Sequence, residues 1–216
     1  MTNQPLRIAH RGMPRQAREN TLASFALALA AGADGIELDV HATSDGVVVV
    51  HHDPELSTGA VIAFTSHAEL TEQPPHGAQI PTLREVCALV KGRAEIFVEV
   101  KGAGIEGLVV EALSGYDGRA AIHSFDHALI RRLADSHCPY RLGALFEDAV
   151  DIQTLMKSTG ALDVWPHHPL VTRSVVDEVH LLGGRVIPWT VNAPNDVQRV
   201  SSLGVDGICT DDVSVL

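Results

Sequence analysis

Residues 35–40 read Gly35-Ile36-Glu37-Leu38-Asp39-Val40. Ile36, Leu38 and Val40 alternate with two carboxylates. In a strand this puts Glu37 and Asp39 on one face and the three apolar side chains on the other. Val- and Ile-rich runs of this length read as buried strands, and ionisable groups are costly to bury without a purpose. The pattern recurs on either side. Leu6-Arg7-Ile8-Ala9 runs into His10-Arg11-Gly12, Val47-Val48-Val49-Val50 precedes His52-Asp53, and Ile96-Phe97-Val98-Glu99-Val100-Lys101 closes on Glu99 and Lys101. Strands converging on carboxylates, histidines, an Arg and a Lys suit a metal-assisted active site on a parallel barrel.

Outward from residue 35, apolar strand-like runs and amphipathic helical runs alternate along the chain. Strands are expected at 6–9, 35–40, 95–100, 120–123, 141–146, 161–165, 185–191 and 207–210. Helices are expected at 21–31, 83–90, 105–113, 126–136, 149–158, 174–182 and 195–203. Asn20 is a suitable N-cap and Gly32 a suitable stop for the first helix. About eight β/α units favour a closed (β/α)8 TIM barrel over an open doubly wound sheet. No Gly-rich dinucleotide fingerprint follows the first strand. The turn signal Thr43-Ser44-Asp45-Gly46 predicts a hairpin-like extension into the four-valine run. Residues 1–216 are read as one compact domain, with 54–81 as a short insertion or lid after the second barrel strand and a helical turn near 67–71.

The 216-residue chain is 45% hydrophobic but only 4% aromatic, so its core is expected to be aliphatic. A net charge of −11 argues against non-specific binding to nucleic acid or to anionic membrane. It does not disfavour an anionic substrate, because a bound cation reverses the local field. Cys87, Cys138 and Cys209 are widely spaced and lack metal-site spacing, so buried free thiols in a reducing compartment are expected. Neither a signal peptide nor a run of membrane-spanning length is visible, and the expected location is cytoplasmic, with no stable membrane insertion.

Glu37, Asp39 and Glu99 form a candidate metal set. Paired carboxylates repel unless a cation or proton sits between them, and three oxygen donors suit Mg²⁺ or Ca²⁺, with Mn²⁺ a third candidate. His10 and His52 are candidate acid and base, because imidazole titrates near neutrality. Asp53 is placed either to orient an imidazole or to cap the turn before Pro54. Arg11 and Lys101 are candidate phosphate contacts. Gly12 lets the chain leave the strand sharply. Metal, two histidines and two cations together suit phosphate-ester hydrolysis.

These segments resemble the glycerophosphodiester phosphodiesterase family. The resemblance runs from Ile8-Ala9-His10-Arg11-Gly12 through Glu19-Asn20-Thr21, the 32–40 stretch, Asp45-Gly46 and His52-Asp53-Pro54. It continues at Ile80-Pro81-Thr82-Leu83 and Val98-Glu99-Val100-Lys101, then Trp189-Thr190-Val191-Asn192, Gly204-Val205-Asp206-Gly207-Ile208 and Thr210-Asp211. It implies a (β/α)8 barrel that hydrolyses a small glycerophosphodiester to sn-glycerol 3-phosphate and an alcohol. It also implies Glu37, Asp39 and Glu99 as metal ligands, His10 and His52 as the acid–base pair, and Arg11 and Lys101 on phosphate. Trp189 would line the pocket, Glu19 would support the metal's surroundings, and Asn20 would cap its helix. The implied route is attack by the substrate's 2-hydroxyl to give a cyclic phosphate that water then opens; direct attack by metal-activated water competes with it.

The chain departs from the family pattern in two places. The stretch between His52 and Glu99 is short. His123-Ser124-Phe125-Asp126 carries His where the family usually has a small residue, so His123 is either a variant at a strand end or a substrate contact. His167, in Trp165-Pro166-His167-His168-Pro169, is a weaker candidate for reaching substrate. Three alternatives have separate signatures. A lysophospholipase D would need an apolar groove, for which Ala60-Val61-Ile62-Ala63-Phe64 is the candidate. A non-catalytic binding barrel would bind ligand without turnover. A phosphate-binding biosynthetic barrel would need Gly-rich loops after its last strands, where only Gly204 and Gly207 stand.

Overall fold

The computed structural model describes residues 4–72 and 78–216. The barrel strands are β1 (Leu6–His10), β2 (Gly35–Ala42), β4 (Glu95–Val100), β5 (Ala120–Ser124), β6 (Arg141–Phe146), β7 (Asp163–Pro166), β8 (Arg185–Val186) and β9 (Gly207–Thr210), and β3 (Val48–Val50) lies off the barrel. The sheet order is β8-β7-β6-β5-β4-β2-β1-β9, with every pair along it parallel. The remaining gap is spanned by backbone hydrogen bonds. Asp206 N donates to Val186 O, Cys209 N to Pro188 O, and Val191 N to Cys209 O, at 2.9, 3.0 and 2.8 Å. The result is a nearly closed eight-stranded parallel barrel, as expected. The predicted 185–191 strand is regular only over Arg185–Val186. Pro188 has no N–H to offer a ladder, which accounts for the interruption.

Helices cover the outside: α1 (Leu22–Ala30), α3 (Leu83–Val90), α4 (Glu106–Leu113), α5 (His127–Asp135), α6 (Ile152–Thr159), α7 (Arg173–Leu181) and α8 (Pro194–Ser202), with a short α2 (His67–Glu72) in the insertion. The N-cap of α1 is Thr21, whose hydroxyl accepts from Ser24 N. This corrects the expectation for Asn20, which has a left-handed backbone with φ 54° and a different task. After α1, Ala33 N donates to Ala28 O across Gly32 at φ +81°, closing the helix as expected.

Alternation along each strand sorts the core into two parts. Ile36, Leu38, Ile96, Val98, Ile122, Val164 and Ile208 pack outward against the helices in the main cluster. Ile8, Phe97, Ala121, Leu145, Trp165, Ile187 and Cys209 form a separate cluster, the packed interior of the barrel. Below that plug, at the strand N-terminal end, Arg185 pairs with Glu95 and Asp163 at 2.9 and 2.6 Å, and Arg141 shares Asp163. The polar site lies at the opposite end.

β3 pairs antiparallel with the end of β2, Val40 facing Val50, so the predicted hairpin forms. The described part of 54–81 packs a small core of its own on β3, from Val49, Leu56, Ile62, Leu70 and Ile80. The expected helical turn is α2. Residues 73–77 of the expected lid lie outside the described residues.

Candidate active site

The first strand ends in a forced turn. Arg11 has φ 55° and Gly12 φ 91°. A Cβ on Gly12 would fall 2.4 Å from Ser24 Oγ, so only glycine fits there. Ser24 Oγ accepts from Met13 N at 2.7 Å and donates to Arg11 O at 3.2 Å, tying the turn to α1. A left-handed Arg is unusual and costs energy. Here it turns the guanidinium over the strand ends: Nε lies 3.0 Å from Asp39 Oδ2 and Nη1 bonds Glu19 Oε1 at 3.1 Å.

Glu37, Asp39 and Glu99 are all buried. Their strand register aligns Asp39 with Glu99, and Glu99 with His123, across β2, β4 and β5. Glu37 Oε2 accepts from Arg11 N at 3.1 Å. Asn20 Nδ2 donates to Asp39 Oδ2 at 2.8 Å, so Asn20 orients a carboxylate instead of capping a helix. Lys101 Nζ lies 2.6 Å from Glu99 and 3.4 Å from Asp39. One ligand atom from each of Glu37, Glu99 and His123 falls within 4.8 Å of the others, spacing that one metal ion can bridge. Asp39 stands outside that trio, drawn to Arg11 and Lys101, though its Oδ1 is buried without a hydrogen-bond partner.

Burial acts to raise the Asp39 carboxyl, but Arg11, Lys101 and the Asn20 hydrogen bond outweigh it and hold it below the ordinary value. For Glu99, burial and the neighbouring Asp39 charge prevail over His123 and Lys101, and its pKa is raised. Burial and Asp39 therefore disfavour the Glu99 anion even with Lys101 beside it. A divalent cation would relieve this, and the Glu37–Glu99–His123 donor set, with Asp39 Oδ1 nearby and lacking a hydrogen-bond partner, fits such an ion.

The two expected acid–base histidines line one cavity of about 220 Å³ at this end of the barrel, together with Arg11, Lys101, Glu37 and Glu99. His10 Nδ1 donates to Asp211 Oδ1 at 2.7 Å, and Asn192 Nδ2 holds the other Asp211 oxygen at 2.7 Å. Burial acts to lower the His10 pKa, but the Asp211 hydrogen bond and the Glu37 charge outweigh it and raise it. His52 Nδ1 meets Asp53 Oδ1 at 2.7 Å, and His41 Nε2 donates to His52 O at 3.0 Å. Each imidazole thus has its Nδ1 engaged by a carboxylate.

Trp189 lines the wall of the cavity, its Nε1 donating to Trp165 O at 2.9 Å and its ring meeting Phe125 edge-on at 5.4 Å. His167 packs on Trp189 at 5.4 Å and does not line the cavity. Ile62 is buried within the insertion and Phe64 is 85% exposed; no described residue of 54–81 lines the cavity.

Residues 10–215 match the sequence model of the glycerophosphoryl diester phosphodiesterase family. The chain belongs to that family. A glycerophosphodiester phosphodiesterase of Caldanaerobacter subterraneus is 33% identical over 97% of this chain and 95% of its own. One from Bacillus altitudinis is 32% identical over 94% and 93%. Among solved structures, an Oleispira antarctica phosphodiesterase in complex with the product sn-glycerol-3-phosphate superposes with a TM-score of 0.87 at 26% identity, covering 96% of this chain and 93% of that one. A Silicibacter pomeroyi protein described as a glycerophosphoryl diester phosphodiesterase gives 0.87 at 27% identity, over 98% and 92%.

Four further residues of this family member belong to the site. Asp211 and Asn192 meet His10 through the Asp211 carboxylate, and a carboxylate directly after a terminal strand is the signal in the sequence that marks Asp211. Glu147 and Phe125 also line the cavity, at the ends of β6 and β5. Nothing in their local patterns marks them, because the barrel closure alone brings them to the site.

Proposed function

We propose that this protein hydrolyses glycerophosphodiesters to sn-glycerol 3-phosphate and an alcohol, using a divalent cation and His10 and His52 as the proton-transfer pair. The observation that carries this reading is the convergence of two carboxylate-anchored imidazoles, two cationic side chains and buried carboxylates on one small cavity. The sn-glycerol-3-phosphate complex of the Oleispira relative supports the same substrate class.

Glu37 and Glu99 would hold the ion, Mg²⁺, Ca²⁺ or Mn²⁺, and Asp39 would join them where phosphate takes Arg11 and Lys101 from it. When bound, the ion polarises a phosphoryl oxygen and offsets developing charge. Arg11 and Lys101 stand at the same rim to hold phosphate oxygens, Arg11 by its planar fork and Lys101 as a point charge. A phosphate entering the site competes with Asp39 and Glu99 for these cations. His10 and His52 take the proton from the attacking 2-hydroxyl and deliver one to the leaving oxygen, and the same pair then deprotonates the water that opens the cyclic phosphate and reprotonates the 2-oxygen. Asp211 and Asp53 fix their tautomers by occupying Nδ1. Trp189 and Phe125 form an apolar wall for the glycerol carbons or the leaving group.

No helix among the described residues is long and apolar enough to cross a membrane. Cys87, Cys138 and Cys209 are free thiols, in keeping with the cytoplasm as the working compartment, although only Cys209 is fully buried as expected and the other two are half-buried at the surface of the helical layer. The test is release of glycerol 3-phosphate from glycerophosphocholine and glycerophosphoethanolamine, metal-free and with each ion restored. Release that depends on the ion supports the assignment. No release with any ion overturns it.

A further inference from the structure

His123 lies near the end of β5, and its setting calls for a partner. Its side chain is 1% exposed, and neither ring nitrogen has a hydrogen-bond partner. Glu37 Oε1, at 3.8 Å from Nε2, is too far to serve as one. A buried imidazole with both nitrogens unsatisfied is expensive, and such groups call for an explanation. His123 also lines the active-site cavity and places a nitrogen within 4.8 Å of carboxylate oxygens from Glu37 and Glu99.

The ring is held in place without a hydrogen bond. It stacks on Trp165 with centroids 4.4 Å apart and planes within 9°. Gly143 leaves room for that stack: a Cβ there would lie 2.9 Å from Trp165 Nε1 and 3.0 Å from His123 Cβ. The β4–β5 register sets His123 directly beside Glu99. Metal-ligating histidines usually have their ring plane fixed by a second hydrogen bond. The indole face does that work here.

We propose that His123 is a nitrogen ligand of the active-site cation, joining Glu37 and Glu99. This inference rests on the metal-dependent reading above. A nitrogen donor changes which ion the site prefers. All-oxygen sites suit Mg²⁺ and Ca²⁺, whereas imidazole favours the first-row transition metals. The protein therefore binds Mn²⁺ or Co²⁺ in preference to Ca²⁺, and His123 is the source of that preference.

The experiment uses the whole protein, with calorimetric titration of Mn²⁺ and Ca²⁺ and pulsed electron paramagnetic resonance of the bound Mn²⁺. The wild type is expected to show nitrogen modulation from a directly bound imidazole. His123→Ala is expected to lose it and to bind Mn²⁺ about tenfold or more weakly, with little change for Ca²⁺. His123→Gln, closer in volume, serves if the alanine variant folds poorly. Mn²⁺ bound without nitrogen modulation, or modulation that persists in the variants, overturns the His123 assignment while leaving the metal-dependent reading intact. A wild type that binds no divalent ion sinks both.

Discussion

His10 and Asp211 lie 201 residues apart and share a 2.7 Å hydrogen bond between Nδ1 and Oδ1. The bond joins the ends of β1 and β9, which are paired in the barrel. It places the first candidate catalytic group under the control of a carboxylate from the last strand.

Asp211→Asn is expected to lower the His10 pKa by removing its main raising partner, which outweighs burial in the native protein. Whether His10 acts as acid or as base, the limb of the pH–rate profile that it contributes moves to lower pH. Profiles of kcat/KM for the two proteins check this; an unmoved profile rules out His10 as a titrating group in the reaction. There is a stability counterpart. The raised pKa contributes stability that is fully present below about pH 6.5 and is lost as pH rises through the higher folded value.

His52→Ala is expected to cost roughly 10²–10⁴ in rate, the usual contribution of one acid–base group. Cation binding by calorimetry stays as in the wild type. Weakened ion binding in that variant makes His52 a ligand, contrary to the assignment.

Glu37→Gln, Glu99→Gln and Asp39→Asn are each expected to lose ion affinity and turnover together. Asp39→Asn has a second consequence, since it removes the partner of both Arg11 and Lys101. Full activity of any of the three in chelator contradicts the metal role.

Divalent cations are expected to raise Tm, and more so at neutral pH than near pH 5. The Glu99 pKa is raised first by burial and then by Asp39. A carboxyl raised in the folded state favours folding while protonated and loses that benefit as pH increases. The ion restores it at neutral pH, whereas at low pH protons compete for the same oxygens. Thermal melts with and without ion at the two pH values test the sign.

Asp163→Ala, at the far end of the barrel, is expected to destabilise the fold by about 3–5 kcal/mol, because it strips a buried carboxylate from Arg185 and Arg141. Activity per folded molecule is retained. Urea unfolding gives the first number and kcat the second.

Much of this was legible without coordinates. Alternation in 35–40 put Glu37 and Asp39 on one face, and the run of β/α units implied the barrel, because periodicity is a local property of the chain. Strand-end position also brought His10, Arg11, His52, Glu99 and Lys101 to one cavity, since a parallel barrel collects the C-terminal ends of its strands at one mouth. Asn20 differs from its expected role for a local reason: its position suits a cap, and its bond to Asp39 forms only when the first turn is folded onto β2.

Tertiary structure alone decided which charges meet. The strand register ranks Asp39, Glu99 and His123 side by side, and the barrel's closure delivers Asp211 to His10. It also determined that Arg11 and Lys101 hold Asp39 while Glu37, Glu99 and His123 gather closely enough to share an ion. Residue type and spacing along one strand specify a face. Distances between strands depend on register, stagger and closure, which arise from packing around the whole barrel.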